Sequence, residues 1–283
     1  MEHLWILFIF IYAFLKGSRE GLKKSALKKS SANEILFFYT LIGLILVLPF
    51  SGTAFELEPF YIFLVFIKSA VVCTAWLFSF VALKSMTVSL YGIMDPSRMV
   101  FSTLMGVFLL NEVLTAQKVI GMALVVTGLI MVNLKKTASS KPLTFTVLCA
   151  ALANCFFNAV SGTMDKVLMQ YMNSSQLQFW FMLFMTLIYG AILIIKKEKI
   201  SVKSVKTNYM IPLMSISLIL GDRLLFEANR SPLSQITLMT VIKQSAVIVT
   251  VLMGYFVFKE KENFLYKLMC TVIVLSGIFT ALL

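Results

Sequence analysis

The sequence predicts an all-α membrane protein whose ten transmembrane helices form two inverted five-helix repeats. Three observations lead there. Of 283 residues, 59% are hydrophobic and 13% charged, against about 45–50% and roughly 25% in soluble domains. Ten apolar segments are each long enough for a helix to cross a bilayer, which takes about 20 residues. The two halves of the chain also repeat a set of anchors in the same order. The composition excludes a soluble globular domain, and the 25 phenylalanines exclude disorder.

The segments run 4–27, 34–51, 60–83, 87–110, 117–134, 143–170, 176–195, 208–229, 233–257 and 264–283. Helices are expected because lipid offers backbone groups no partners, and the segments are too long and evenly apolar for barrel strands. The first, Met1-Glu2-His3 followed by Leu4 to Leu15, lacks a basic leader and a small-residue cleavage site, so it reads as a retained helix. The second rests on the apolar run Ile35 to Pro49. Segments one, three, four, six, eight and nine carry ionisable residues. The fifth and tenth carry none over Val119 to Asn133 and Leu268 to Leu283, which places them at the periphery, against lipid or another subunit. Cys73, Cys149, Cys155 and Cys270 lie in apolar stretches without metal or redox spacing and read as small core residues.

The repeat sets residues 1–134 against 143–283. Gly106-Val-Phe-Leu-Leu-Asn-Glu112 matches Gly254-Tyr-Phe-Val-Phe-Lys-Glu260, and Gln117-Lys118 with Gly128 matches Tyr266-Lys267 with Gly277. Gly17-Ser-Arg-Glu20 aligns with Gly162-Thr-Met-Asp165. Five helices per copy is an odd number, so the second copy enters the membrane from the opposite side, an arrangement found in many secondary transporters.

Basic residues test this independently. Loops and helix ends on one face hold eighteen Lys and Arg, including Lys23, Lys24, Lys135, Lys136, Lys196 and Lys259, whereas the other holds only Lys118 and Arg230. The acidic loop from Ser51 to Pro59 falls on that second face. The positive-inside rule then puts both termini outside. The formal charge of +12 is thus mostly a basic inner rim and does not point to nucleic acid.

The Gly...Glu, Gln/Tyr-Lys, Gly pattern that closes each half resembles the EamA-type repeat of the drug/metabolite transporter superfamily, over essentially the whole chain. The resemblance implies a central cavity through which small metabolites pass without ATP hydrolysis. Many members read as N-terminus inside, so the lysine bias here departs from the common pattern. Glu112 and Glu260 sit where the superfamily motif places its glutamates and are expected to cap or pin the following loop.

Ionisable groups in hydrocarbon cost at least a few kcal/mol each and so face a cavity or a partner. The bases are Lys16, Arg19, Lys68, Arg98, Lys166, Arg223 and Lys243, and the acids are Glu20, Asp95, Asp165, Asp222 and Glu227. Lys16 with Glu20, Arg223 with Glu227, and Asp95 with Arg98 have the spacing to meet on one helix face. Adjacent Asp165-Lys166 and Asp222-Arg223 diverge by about 100°, so a member of each must look to another helix, an ion or a substrate. Two more bases than acids point to an anionic or zwitterionic ligand. Glu20 and Asp165 are equivalent in the repeat and suit proton-binding or gating, or else simple neutralisation of a neighbouring base. Lys243-Gln244 occupies the stretch equivalent to Asp95-Pro96 and resembles the spans that carry substrate contacts in the superfamily. Lys243 and Asp165 lead the candidates.

Trp76 is a candidate stacking or cation–π face, and Tyr91 and Tyr39 are candidate hydrogen-bond donors. Trp5 and Trp180 read as interfacial anchors. Pro96, Gly162 and Gly221 interrupt spans beside Asp95, Asp165 and Asp222, where broken helices free backbone groups for binding or merely kink.

No nucleotide loop, metalloprotease, nucleophile-elbow or dinucleotide motif is present, and the single histidine is His3. The expectation is therefore a non-enzyme without cofactor or metal. It is a multi-pass protein of a bacterial or archaeal cytoplasmic membrane, with a small-molecule substrate, the lipid bilayer and a homodimer through spans five or ten as partners. The leading reading is a secondary transporter of a small polar metabolite, proton-coupled or exchanging, whose two halves rock about a mid-membrane cavity closed to lipid. A lipid-headgroup flippase with a lateral cleft is the alternative, and a non-transporting sensor or scaffold is a second.

Overall fold

A computed structural model of the chain describes residues 4–110, 115–134, 144–198, 207–230 and 242–280. These residues form α-helices and short turns. The helices are α1 (Leu4–Ala26), α2 (Ala32–Val47), α3 (Pro59–Ser85), α4 (Val88–Met94), α5 (Ser97–Leu110), α6 (Ala116–Leu134), α7 (Phe145–Leu168), α8 (Ser174–Ile195), α9 (Met210–Arg230), α10 (Ala246–Phe256) and α11 (Phe264–Thr280). Four stretches, Ala32–Phe50, Pro59–Ser85, Phe145–Asp165 and Ser174–Ile195, are long and apolar enough by themselves to cross a membrane. Others, such as α1 with Lys16, Arg19 and Glu20, carry charges that need partners inside the fold. Positions 233–241 and 281–283 of the ninth and tenth predicted spans, and Glu112, lie outside the described residues.

Helix ends follow local chemistry. Ser31 caps α2 by accepting from the Glu34 amide at 3.3 Å, Thr87 caps α4 by accepting from the Leu90 amide at 3.3 Å, and Asn173 with Gln176 forms a reciprocal capping box on α8. Pro59 opens α3, where its missing amide costs no helical bond. The fourth predicted span breaks at Asp95-Pro96, between α4 and α5. The ninth breaks at Ser245, after a helical piece over 242–244.

The packing has an internal two-fold pattern. α1 packs on α9 as α7 packs on α3, α2 packs on α9 as α8 packs on α3, and α10 packs on α1 as α5 packs on α7. The pairs α2 with α8 and α6 with α11 map onto themselves, and α4 packs on α10 where the two broken spans meet. For each helix the most extensive contact is with a helix of the other half. The two halves are therefore interlocked.

Lipid supplies no hydrophobic drive between helices, so close backbone approach at small residues holds them together. A Cβ on Gly277 would lie 2.7 Å from the Gly121 carbonyl oxygen, and one on Gly128 would lie 2.6 Å from Val274 Cγ2, so α6 and α11 meet nearly backbone to backbone. Outside this seam Val119, Ile120, Val126 and Ile130 of α6 are exposed. On α1 the exposed side chains Leu7, Phe10 and Phe14 form a similar apolar stripe. Cys73, Cys155 and Cys270 are buried, while Cys149 is exposed and not a core residue.

The loops gather at two ends. At the basic end Lys24 donates to the carbonyls of Leu83 and Met86 at the end of α3, Asn208 donates to Ala26 at 3.0 Å, and Asn33 donates to Glu198 at 2.5 Å. At the opposite end Trp180 and Gln176 donate to the carbonyls of Ala54 and Thr53 at 2.7 and 3.0 Å. Trp180 thus anchors a loop, whereas Trp5 is buried against Ile9, Ala228 and Ile242. Glu260 spans the loop that follows it, lying 3.9 Å from Lys267 of α11, and also reaches into the other half. Its carboxylate accepts from the Val88 and Ser89 amides at 2.8 and 3.1 Å and from Ser89 Oγ at 2.6 Å, capping α4 in the other half.

Candidate functional site

Seven helices, in the order α7, α3, α8, α2, α9, α1 and α10, pack neighbour to neighbour, and the intramembrane charges converge on the inner faces of α1, α3, α4, α5, α7 and α9. The arrangement is a set of ion pairs between helices. Lys16 of α1 donates to Asp95 Oδ2 at 2.6 Å, and Arg98 donates to Asp95 Oδ1 at 2.8 Å. Asp95 thus bridges two cations. Lys16 does not pair with Glu20 one turn along; Glu20 accepts instead from Lys23 at 2.9 Å. A narrow cleft beside these groups is lined by Lys16, Glu20, Gly92, Asp95, Ala246 and Thr250.

On the other side of the interior Lys68 of α3 lies 3.2 Å from Asp165 of α7 and 3.9 Å from the ring centre of Phe181. The Lys68 side chain is 4% exposed and that of Asp165 is 26% exposed. The aromatic face and the carboxylate together hold an ammonium that would otherwise cost several kcal/mol to bury. Asp165 Oδ1 makes no hydrogen bond of good geometry. The Lys166 side chain lies outside what the structure describes.

Arg19 and Asp222 form the third group. Arg19 is buried, surrounded by Tyr39, Asp222, Tyr12 and Glu20, and its Nη1 has no hydrogen-bond partner among the described residues. Asp222 is half-buried and sits in the field of Arg19, Lys68 and Asp165. Arg223 turns away from it: Nη1 donates to Ser175 Oγ at 2.7 Å and Nε lies 3.9 Å from Glu227. That cluster ties α9 to the start of α8.

Lys243 and Asp95, equivalent in the repeat and opposite in charge, both stand at helix interruptions. Asp95 is saturated. Lys243 is half-buried and makes no ion pair with any described carboxylate, although Lys16, Arg98 and Asp165 are near enough for their charges to act on it. Gln244 beside it is buried. Arg98 Nε is likewise buried without a partner.

Tyr91 belongs to a polar network. Its hydroxyl is 2.7 Å from Ser79 Oγ and accepts from Asn154 Nδ2 at 3.0 Å, and Asn158 donates to Asn154 Oδ1 at 2.7 Å. Asn154, Asn158, Ser161 and Asp165 recur at helical spacing and give α7 one polar face. Trp76 packs at 5.1 Å on Tyr39 and at 6.3 Å on Phe181, ring centre to ring centre. It is thus engaged with aromatic neighbours and is not a free stacking platform.

The sequence places Lys23 on the basic rim, not as the partner of Glu20, and gives no role to Phe181 or to the asparagines of α7. Only the asparagines left a signal, since a polar face at i, i+4, i+7 and i+11 in an apolar segment is legible without coordinates. The partners of Lys16 and Lys68 are distant in sequence and had none.

Comparison with known proteins places this architecture. The model of the EamA-like transporter family matches residues 3–134 and again residues 145–283. Among curated proteins no sequence matches. A solved crystal structure, described only as that of a protein, superposes with a TM-score of 0.71 over 99% of this chain and 97% of its own, at 16% sequence identity. At that identity the likeness shows the fold alone.

Proposed function

The chain belongs to the EamA-like transporter family, and on that premise we propose that it is a secondary transporter moving a small polar metabolite, anionic or zwitterionic, across the cytoplasmic membrane by alternating access. The observation that carries this reading is a broken symmetry. Gly17 and Gly162 are equivalent, and so are the helix crossings at which they stand, α1 on α10 and α7 on α5. At Gly17 the crossing is shut: a Cβ there would lie 2.6 Å from the Ala246 carbonyl oxygen and 2.7 Å from Val249 Cβ. At Gly162 the space beside the glycine is open, with no packing neighbour among the described residues within 4 Å of a Cβ there, although α7 and α5 meet close by, with Thr163 Oγ1 4.0 Å from Met105 Sδ. One conformation of each kind in two equivalent places is what an inverted repeat presents when access is from one side only.

The basic end is the closed one, sealed by Gly17, by Lys24 on the α3 carbonyls and by Glu260 on α4. With that end cytoplasmic, as the lysines direct, both termini face outside and the site opens outward. Transport then consists of the two crossings exchanging states: the α1–α10 seam loosens as the space beside Gly162 fills, next to where Phe156 of α7 already meets Phe101 of α5. No separation of the interlocked halves is required. Asp165 is the coupling group, by proton or by exchange, because its carboxylate is the more exposed of the equivalent pair, at 26% against 13% for Glu20. Helices α6 and α11 stand outside this movement and present their apolar faces to lipid or to a second copy of the chain.

The test is counterflow in proteoliposomes with labelled amino acids, dicarboxylates and phosphate esters, combined with alkylation of Gly162→Cys and Ser89→Cys in a background with the native cysteines replaced. Counterflow of at least one compound is expected, with position 162 reacting from outside and position 89 protected. Absence of counterflow across the panel, or equal reactivity at the two positions, would overturn the reading.

A further inference from the structure

Within that transporter reading, we infer that the substrate is held by an oxyanion, a carboxylate or phosphate group, seated between Lys243 and Arg98 where the two equivalent helices break. Three cations, Lys16, Arg98 and Lys243, meet in one low-dielectric region. Asp95 is the carboxylate that contacts the first two, and Lys68 occupies Asp165 at 3.2 Å. The region therefore carries an uncompensated positive charge that water alone would have to solvate.

Two directional features make this a seat and not a diffuse field. The ninth span turns at Ser245 and resumes as α10, an 11-residue helix whose start lies beside Lys243 and has no side-chain cap, although the Ser245 and Ile248 amides already bond to the Ile242 and Ser245 carbonyls. Arg98 has already given Nη2 to Asp95 and keeps its Nε buried and unpaired. A guanidinium N–H, an ammonium and helix amides are the donors that planar or tetrahedral oxyanions take. Asp95 is already bonded to two cations and Glu20 Oε1 to Lys23, so among the described residues the acceptor left open to a cationic group beside the cleft is Glu20 Oε2. The seat also explains an asymmetry of the repeat: at one break the counter-charge is built in as Asp95, while at the other the base awaits a counter-charge from solution.

The same chemistry could come from a soluble metabolite or from a lipid headgroup. The experiment measures thermal shift and binding of the full chain in detergent micelles with glycerol 3-phosphate, succinate, putrescine, and phosphatidylglycerol against phosphatidylcholine. Glycerol 3-phosphate or succinate is expected to stabilise the wild type saturably, and Lys243→Gln to weaken binding about tenfold or more. Lys243→Arg should retain binding, and Lys84→Gln on the basic rim should leave it unchanged. Stabilisation by putrescine alone, no stabilisation by any oxyanion, or oxyanion binding that ignores Lys243→Gln would overturn the inference. Competition by phosphatidylglycerol with the same Lys243 dependence supports the seat and assigns its occupant to the bilayer. Binding without counterflow would count against the transporter reading and leave the seat standing, whereas counterflow independent of Lys243 would do the reverse.

Discussion

Glu260 Oε2 lies 2.6 Å from Ser89 Oγ, joining residues 171 apart in sequence and from opposite halves of the chain. The same carboxylate also receives the Val88 amide at 2.8 Å, and Gly254 leaves it room: a Cβ there would run into both Ser89 and Glu260. An acid on first-turn amides and the helix dipole reinforce each other. Glu260→Gln keeps the shape but removes the charge, and should lower stability by about 1–3 kcal/mol. The measurement is the melting midpoint in detergent. An unchanged midpoint would mean that the basic end is held by other contacts.

Gly17 and Gly162 should respond oppositely to a side chain. Gly17→Val drives a branched carbon into the backbone of α10 and is expected to disrupt the closed crossing, with loss of folded yield. Gly162→Ala should be neutral or stabilising by up to about 1 kcal/mol, the helix propensity gain. Gly162→Leu separates gating from packing: stability should persist while counterflow is lost. Full counterflow in that variant would show that the α7–α5 crossing never closes.

Lys16 and Asp95 should be energetically coupled, and Lys16 and Glu20 should not. Lys16→Met leaves Asp95 with Arg98 alone and should cost about 1–3 kcal/mol. Asp95→Asn should cost less in Lys16→Met than in the wild type, because it then orphans one cation and not two; adding Glu20→Gln should instead sum with Lys16→Met. A double-mutant cycle on chemical unfolding in mixed micelles reads both. Additivity for Lys16 with Asp95 would contradict the geometry.

Tyr91→Phe removes the hydroxyl that joins Ser79 to Asn154 and leaves two buried polar groups short of a partner. A loss of about 1–3 kcal/mol is expected. Asn154→Leu in the same background should relieve part of it, read again by melting. A Phe variant as stable as wild type would mean that water replaces the hydroxyl.

Much of the fold is legible because segment length and the repeat are both one-dimensional. Gly17 with Gly162, and Glu112 with Glu260, can be aligned on paper, and the break at Asp95-Pro96 is announced by proline. Which charges meet is three-dimensional. Helical spacing offers Glu20 to Lys16, yet the bond goes to Asp95 because α4 crosses α1 at that level, while Lys23 takes Glu20. Lys68 appears in the sequence as a lone cation, and its carboxylate and aromatic partners come from α7 and α8. Trp76 shows the converse: an aromatic beside polar neighbours reads as a ligand face until Tyr39 and Phe181 are seen against it.

The interlocking of the halves bears on biogenesis. Since every helix finds its most extensive partner in the other repeat, the first five spans leave the translocon without the neighbours that complete them. They must wait in the bilayer, with Lys68 and Arg19 short of Asp165 of α7 and Asp222 of α9, until the second repeat joins them. Tertiary structure is therefore acquired after the last helices insert, and neither repeat made alone should persist against membrane quality control.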